Sequence, residues 1–209
     1  MGDYRFSEDW FSPCIPIWSN LFNQLNPTKI LEIGSFEGRS ACFLIENLTQ
    51  ARDIELHCID TWHGAVEHQI GGFAQTNMSA VEERFLYNVN LSIKKSSNSV
   101  DLKIHKGTSD IELSKLLSAG MNNYFDFIYV DGSHQAPDVL TDAIFSFKLL
   151  KVGGLIAFDD YLWSEPLPGG KDIIRCPKIA IDSFTNIFAR KVKIINAHLD
   201  QLYVQKISD

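Results

Sequence analysis

The chain has 209 residues, of which 45% are hydrophobic and 22% are charged, and its formal net charge is −7 at pH 7. This composition indicates a globular protein with a substantial core and excludes a disordered chain. The acidic balance argues against nucleic acid as the main partner, because a phosphate backbone needs a basic face.

Membrane and secretion signals are absent from the sequence. No apolar stretch approaches the roughly 20 residues of a membrane helix, and the first ten residues lack the basic and apolar regions of a secretion signal. The cysteines form no Cys-x-x-Cys pair, which favours buried thiols in a reducing compartment over a metal or disulfide role. We therefore expect a cytoplasmic protein with no membrane partner and four buried thiols, Cys14, Cys42, Cys58 and Cys176.

The first part of the chain is aromatic and predicts a helix. Ile17, Leu21, Phe22 and Leu25 recur at the spacing of an amphipathic helix. We predict one domain over residues 1–209, with an N-terminal helical segment at 1–27 and an α/β core at 28–209. The aromatic segment is expected to cover either the ligand pocket or a partner in a homodimer.

A strand, a glycine-containing turn and a helix follow at residues 29–48. Ile30, Leu31 and Ile33 indicate a buried strand, which Gly34 ends, and Gly38 precedes an apolar pattern with helical spacing. Such a turn lets the backbone come close to a ligand and aims the N–H groups of a helix N-terminus at it. An ordinary strand-to-helix turn without a ligand is the structural alternative.

Four more strands alternate with helices along the chain. They are predicted at residues 54–60, 101–107, 125–131 and 154–160, and a helix is predicted to begin at Ser79, where Ser79 and Glu82 match a capping box. Residues 192–195 and 202–207 flank a turn and predict a hairpin. This alternation predicts a mainly parallel sheet with helices on both faces and an antiparallel strand at the end.

Acidic and small polar residues gather where the predicted strands end. Ligands in open α/β sheets bind beyond the carboxyl ends of the strands, and a set of carboxylates there is costly to desolvate without a function. Asp60 can accept hydrogen bonds from both hydroxyls of a ribose, with a loop cap as the alternative. Trp62 can cover a purine ring or belong to the core. The strand-end residues are Glu32, Gly34, Asp60, Gly107, Thr108, Ser109, Asp110, Asp131, Ser133, His134, Asp159 and Asp160.

Residues 32–38, Glu-Ile-Gly-Ser-Phe-Glu-Gly, resemble the first motif of class I S-adenosylmethionine-dependent methyltransferases, which use Glu-x-Gly-x-x-x-Gly. The likeness continues at residues 60–62, 107–109, 125–131 and 153–160. A nicotinamide dehydrogenase fits poorly, because Phe36 stands where the dinucleotide turn needs its second glycine. The resemblance implies a Rossmann-like seven-stranded sheet of order 3-2-1-4-5-7-6 with strand seven antiparallel.

The resemblance also implies that S-adenosylmethionine lies at the ends of the first three strands. Glu32 would organise the glycine loop, Asp60 would hold the ribose, and Trp62 and Ser109 would flank the adenine. The implied cofactor-binding residues are Glu32, Gly34, Ser35, Phe36, Gly38, Ser40, Asp60, Thr61, Trp62, Gly107, Thr108, Ser109 and Asp131.

Three aspartates at the ends of the fourth and fifth strands suggest a metal. Asp131, Asp159 and Asp160 would repel one another without a cation or protons between them, and hard oxygen ligands select Mg²⁺, Mn²⁺ or Ca²⁺. The set resembles the metal site of catechol-type and macrolide-sugar O-methyltransferases. We predict a divalent metal here, Mg²⁺ or Mn²⁺, with capping of the following helices as the structural alternative.

The catalytic residues predicted are Asp131 and His134, with His134 at the position where catechol-type enzymes place a lysine base. A metal ligand and a loop histidine are the other interpretations of His134. We predict metal-dependent O-methylation of a small hydroxylated acceptor, a sugar or a phenol, between mobile walls at residues 61–77 and 161–175. The alternatives are a metal-independent methyltransferase with His134 as base and a non-catalytic protein that binds S-adenosylmethionine.

Overall fold

The computed structural model describes residues 3–68, 72 and 75–209. Seven strands form one sheet, and helices lie against both of its faces. The strands are β1 (Lys29–Ile33), β2 (Ile54–Asp60), β3 (Val100–Lys106), β4 (Phe125–Val130), β5 (Leu150–Phe158), β6 (Val192–Ile195) and β7 (Leu202–Lys206). The helices are α1 (Ile15–Leu25), α2 (Arg39–Leu48), α3 (Val81–Lys95), α4 (Ser109–Ser118), α5 (Ala136–Leu149) and α6 (Pro177–Ile187).

The strand order is β3-β2-β1-β4-β5-β7-β6. Strands β1 to β5 are parallel, and β7 runs antiparallel to both β5 and β6. The predicted sheet order and the predicted terminal hairpin are therefore confirmed. Strands β2 and β3 lie on one side of β1, whereas β4 and β5 lie on the other. This change of side between β1 and β4 is a topological switch point, which opens a crevice at the carboxyl edge of the sheet.

Alternating side chains of the central strands form two apolar layers. Ile30 and Phe127 point to the layer that holds Trp18 of α1 together with α2 and α3. Leu31 and Ile128 point to the layer built with α4, α5 and α6. Burial on both faces explains why these strands appear in the sequence as nearly continuous apolar runs.

Most predicted strand bounds lie within two residues of the observed ones, and two element starts need comment. Helix α3 begins at Val81, and Ser79 lies in a preceding 3₁₀ turn whose N-cap is Asn77, with Asn77 Oδ1 accepting the Ser79 amide at 3.1 Å. The predicted capping box at Ser79 is therefore wrong. Strand β5 begins at Leu150, before the predicted residue 154, because a bulge accommodates Gly153 and Gly154 while the ladder with β4 continues.

Part of the predicted wall at residues 61–77 lies outside the described residues, namely 69–71 and 73–74. The four cysteines are free and buried, as the sequence predicts. Across the described ranges, no helix combines the length and apolarity needed to cross a bilayer.

Candidate active site

Backbone hydrogen bonds extend beyond the strand ends and bring the following loops together. The Gly34 amide donates to the Ile59 carbonyl at 2.9 Å, and the Asp131 amide donates to the Ile33 carbonyl at 2.8 Å. The Asp159 amide continues this row of hydrogen bonds by donating to the Val130 carbonyl of β4 at 3.0 Å. A cavity of about 1150 Å³ opens along this edge, where ligands of parallel sheets bind.

The predicted cofactor residues divide into a cavity wall and a layer behind it. The cavity is lined by Gly34, Phe36, Asp60, Thr61, Gly107, Thr108, Ser109 and Asp131. The other predicted cofactor residues are absent from the described part of the cavity lining. They are Glu32, Ser35, Gly38, Ser40 and Trp62. The second group acts on the site through the loops that it holds.

Gly34 is required by the backbone of the neighbouring strand. Its φ is +87°, and a Cβ there would lie 1.9 Å from the Asp131 carbonyl oxygen and 2.8 Å from Gly132 Cα. The sequence interpretation attributed this glycine to the approach of a ligand. The structure adds a second reason, because β1 and β4 converge too closely at this point for any side chain.

We expect Gly34→Ala to lose about 3 kcal/mol or more of folding stability, because backbone atoms cannot rotate away from the new methyl group. Urea unfolding measures the loss. Gly120→Ala is the matched control, since Gly120 has φ +84° and no heavy atom within 4 Å of the position that a Cβ would take. That control should lose only about 1–2 kcal/mol for its left-handed backbone. Equal losses in both variants would contradict the steric account.

Gly38 serves helix packing. It is the N-cap of α2 with φ +78°, and a Cβ would meet the Phe85 ring at 3.0 Å and Val89 at 3.1 Å. Contact between α2 and α3 therefore requires a glycine here, whereas its role in cofactor approach stays a prediction. The close packing fixes the helix whose N-terminus follows the glycine loop.

Glu32 is buried inside β1 and organises the loop after it. The Ser40 hydroxyl donates to Glu32 Oε1 at 2.5 Å, and the Cys58 thiol contacts the other oxygen at 3.6 Å. Burial raises the pKa of Glu32 to about 7, and the hydrogen bonds from hydroxyl groups oppose part of that rise. Glu32 therefore ties β1, α2 and β2 together beneath the cavity.

Asp60 joins two loops at the end of β2. One carboxylate oxygen accepts the Phe36 amide at 2.8 Å, and the other accepts the Trp62 amide at 2.7 Å. Burial raises the pKa of Asp60, and these backbone donors oppose the rise. Each oxygen keeps lone-pair capacity for a further donor, so the predicted ribose contact fits this placement.

Trp62 belongs to the core. Its side chain is 4% exposed, its ring lies 4.9 Å from that of Phe85, and its indole N–H donates to the Phe36 carbonyl at 3.0 Å. The core alternative describes this position, and the prediction that Trp62 flanks the adenine is not supported. The residue positions Phe36, which does line the cavity.

Asp142 of α5 is a buried acid that sequence reasoning missed. The side chain lies behind Gly132, with Oδ2 3.8 Å from where a Cβ on that glycine would stand. Neither carboxylate oxygen has a hydrogen-bond partner among the described residues. Burial raises the pKa of Asp142 to about 7, and the nearby Ser109 hydroxyl opposes only part of the rise.

We expect Asp142→Asn to be more stable than the parent at pH 8 by about 3–4 kcal/mol, at 1.36 kcal/mol per pKa unit, and nearly equal to it at pH 4. The folded carboxyl keeps its proton up to about pH 7, whereas the unfolded one ionises near its ordinary value of 3.8. Stability therefore falls as pH rises between these values. Urea unfolding at both pH values tests this, with exposed Asp101→Asn as control. A pH-independent difference would contradict it.

The hydroxyl of Tyr129 links two of the three predicted metal ligands. It lies 2.9 Å from Asp131 Oδ2 and also contacts Asp159 Oδ2. A hydroxyl carries one proton, so one of these two bonds needs a proton from a carboxyl group. Burial and the charges of the neighbouring aspartates raise the pKa of Asp131 well above its usual range and that of Asp159 to about 6.

His134 and Asp160 form a pair at the mouth of the same cluster. The ring Nε2 lies 2.7 Å from Asp160 Oδ2, and the Trp163 ring lies 4.0 Å from the imidazole. Asp160 has φ +53°, a strained backbone for a non-glycine residue. This turn points the carboxylate back toward β4.

The structure changes the membership of the candidate metal set. The described side chains whose ligand atoms all lie within 4.8 Å of one another are Asp131, His134 and Asp160. Asp159 contacts Tyr129 through one oxygen and accepts the Asp160 amide at 3.0 Å through the other. Asp159 lines the same cavity, but hydrogen bonds engage both of its oxygens, and His134 lies in the compact set where the sequence predicted Asp159. The metal set of three aspartates stays a prediction.

The N-terminal segment covers one side of the cavity. Trp10 lines it and packs against Phe36 at 5.2 Å and His68 at 6.1 Å between ring centroids. Buried Glu37 holds the segment by accepting the Ser7 amide at 2.6 Å and the Ser7 hydroxyl at 2.7 Å. This placement matches the first of the two predictions for the aromatic segment, the one in which it covers the pocket.

Sequence reasoning missed Tyr129, Asp142 and Asp200 at the site. Tyr129 occupies an interior strand position that is indistinguishable in sequence from its apolar neighbours. Asp200 lies in the β6–β7 turn, and its carbonyl accepts the Tyr161 amide at 3.1 Å, which places it beside the loop after β5. No local motif marks it, because its role follows from the antiparallel docking of β7.

The sequence matches the profile of a methyltransferase domain family over residues 31–161. No curated protein matches the sequence. Solved structures with the same fold include TomG of Streptomyces achromogenes, an O-methyltransferase of tomaymycin synthesis in complex with S-adenosylmethionine. It has a TM-score of 0.63 at 18% identity and covers 100% of this chain and 84% of its own.

Two further structures have comparable similarity. An O-methyltransferase from Bacillus cereus in complex with S-adenosylhomocysteine has a TM-score of 0.63 at 16% identity, covering 96% of this chain and 84% of its own. A putative O-methyltransferase from Klebsiella pneumoniae has a TM-score of 0.62 at 15% identity, covering 98% and 84%. The chain therefore belongs to the methyltransferase domain family and has the fold of class I S-adenosylmethionine-dependent methyltransferases.

Proposed function

We propose that this methyltransferase transfers the methyl group of S-adenosylmethionine to a hydroxyl group of a small molecule. The observation that carries the proposal is one continuous cavity with Asp60 at one strand end and the Asp131, His134 and Asp160 cluster at another. Its volume of about 1150 Å³ exceeds the usual range for one small ligand, about 300–1,000 Å³. A cofactor and an acceptor can occupy it together.

The cofactor end is built from loops and a helix N-terminus. Asp60 offers the acceptor atoms for the ribose hydroxyls, and Thr108 is the N-cap of α4 on the same wall. The structures of TomG and of the Bacillus cereus enzyme contain S-adenosylmethionine and S-adenosylhomocysteine. These relatives support the choice of cofactor for this chain.

His134 is the candidate base for the transfer. The acceptor oxygen forms a bond to the methyl carbon while the bond from that carbon to sulfur breaks, and the hydroxyl proton must leave. Asp160 orients the imidazole from 2.7 Å, and a carboxylate in this position stabilises the imidazolium that forms. The Trp163 ring packs on the imidazole and limits the water that reaches it.

A divalent metal also fits the cluster. Asp131 and Asp160 supply carboxylate oxygens and His134 an imidazole nitrogen, a donor set that suits Mn²⁺ and tolerates Mg²⁺. When bound, such an ion lowers the pKa of an acceptor hydroxyl and orients it. The ion would compete with the proton shared by His134 and Asp160, so His134 as ligand and His134 as base are mutually exclusive states.

The test is transfer of labelled methyl groups to a panel of hydroxylated sugars and phenols, after chelation and again after Mg²⁺ or Mn²⁺ is added back. Activity that disappears with chelation and returns with metal supports the metal-dependent reaction. Full activity in excess EDTA contradicts it and leaves His134 as base. Tight cofactor binding without transfer to any acceptor would favour a non-catalytic binding protein.

A further inference from the structure

The cavity wall is rich in acidic residues and contains no strongly basic ones among the described lining residues. Eight of the described lining residues are aspartates, and none is lysine or arginine. The loop at residues 61–77, which is described only in part, also contains neither basic residue in its sequence. Among the described lining residues, histidine is therefore the only side chain that can carry positive charge. The loop at residues 161–175 contains Lys171 and Arg175, and neither of them lines the cavity.

Three basic residues on elements that border the cavity are paired with acids. Arg39 makes two bonds to Asp9, at 3.0 and 2.7 Å. Farther round the rim, Arg175 pairs with Glu165 at 2.5 Å, and Lys178 pairs with Asp182 at 2.5 Å. An anionic ligand that drew on one of these three residues would have to break its pair. Lys171, exposed in the loop at residues 161–175, does not line the cavity.

Four of the aspartates surround the acceptor end. Cys14 lines the cavity there, and burial raises the pKa of its thiol to about 12, with the charges of Asp159, Asp131, Asp200 and Asp160 adding to the rise. Trp163 and Trp10 supply aromatic faces on the same cavity. Carboxylates with aromatic faces attract cations and repel anions.

We propose that the acceptor is a hydroxylated molecule without phosphate, sulfate or carboxylate groups, and that a protonated amine on it favours binding. This inference rests on the proposed function for the identity of the acceptor end. Among hydroxylated molecules of the same shape, the acidic wall then disfavours those that carry an anionic group, because negative charges on wall and ligand repel each other. Asp200 is exposed, lies outside the metal set and contacts the exposed His198 imidazole at 3.0 Å. A ligand amine can replace that surface contact without disturbing the chemistry.

Tryptophan quenching tests the charge of the cavity without turnover. Of the four tryptophans, Trp18 and Trp62 are buried, whereas Trp10 and Trp163 line the cavity. At constant ionic strength, caesium should quench this fluorescence about threefold or more better than iodide, because a cleft of one charge concentrates counter-ions. Each quenching constant is normalised to that of free N-acetyltryptophanamide and to that of neutral acrylamide. Iodide quenching as effective as caesium quenching would overturn the proposal.

Three catechols of similar shape test the ligand directly. With S-adenosylhomocysteine bound, dopamine should bind about tenfold or more tightly than 3,4-dihydroxyphenylacetate, with neutral 4-ethylcatechol between them, which corresponds to about 1.4 kcal/mol. Asp200→Asn should narrow this ratio, and Glu83→Gln, an equal charge change on an exposed position of α3, should not. Preferred binding of the acid would overturn the proposal.

Absence of methyl transfer to any hydroxylated acceptor would contradict the proposed function, while the quenching ratio would still decide the charge of the cavity.

Discussion

We expect His134→Ala to lower kcat for methyl transfer by about 10²–10⁴-fold, the usual contribution of a positioned general base. The imidazole lies within 2.7 Å of its orienting carboxylate, Asp160, and lies within 4.8 Å of Asp131 through the same cluster. Single-turnover assays at saturating cofactor measure the effect. Because His134 is outside the Asp60 end of the cavity, affinity for S-adenosylmethionine should change little.

The control for this variant is His198→Ala, which removes an exposed imidazole from the β6–β7 turn. Because His198 contacts Asp200 at 3.0 Å, the comparison uses an acceptor without an amine, for which His198→Ala should retain the parent's kcat. Chelation tests the metal separately. Loss of activity only in His134→Ala indicates a base that works without metal, whereas loss both in EDTA and in His134→Ala shows that the reaction needs the metal and that His134 is either a ligand or the base. Full activity in His134→Ala would remove the histidine from the chemistry.

The second large effect is expected at the cofactor end. Asp60→Ala should weaken S-adenosylmethionine binding by about tenfold or more, because hydrogen bonds to charged groups contribute about 1.5–3 kcal/mol. The structure adds a further loss, since the variant also releases the Phe36 and Trp62 amides that Asp60 holds at 2.8 and 2.7 Å. Isothermal calorimetry measures the affinity, and circular dichroism checks that the variant is folded.

Asp60→Asn separates these two contributions. Its side-chain oxygen still accepts one backbone amide, so it should keep more of the loop geometry while losing the charge toward the ribose. Asp110→Asn is the control at an exposed carboxylate on the same cavity, and its effect should be smaller. Unchanged affinity in folded Asp60→Ala would count against the ribose assignment.

The sequence by itself determined the sheet and the location of the site. Apolar runs with polar residues after them indicate strands buried on both faces, and the parallel connections then place their ends at one edge. For this reason Gly34, Asp60, Asp131 and Asp160 could be assigned to one cavity. The terminal hairpin was also predictable, because its two strands are adjacent in sequence.

Contacts between elements distant in sequence were decided only by the tertiary structure. Gly34 is required by the Asp131 carbonyl 1.9 Å from its missing Cβ, and Tyr129 spans two carboxylates across β4 and β5. Periodicity reports that a side chain is buried but does not report its partner, which depends on strand register and on the path of each loop. The same limit explains why Trp62 could be assigned equally to the core or to a purine.

The pairing of His134 with Asp160 shows most clearly why the direction of a side chain at a strand end could not be predicted from the sequence. Spacing in the sequence suggested Asp131, Asp159 and Asp160 as one metal set, since all three follow strand ends. The positive φ of Asp160 turns its carboxylate toward His134, while Tyr129 and the Asp160 amide bind the oxygens of Asp159. Residue types at the strand ends were determined by the sequence, whereas the direction of each side chain was decided by backbone torsions and hydrogen bonds that form only in the folded protein.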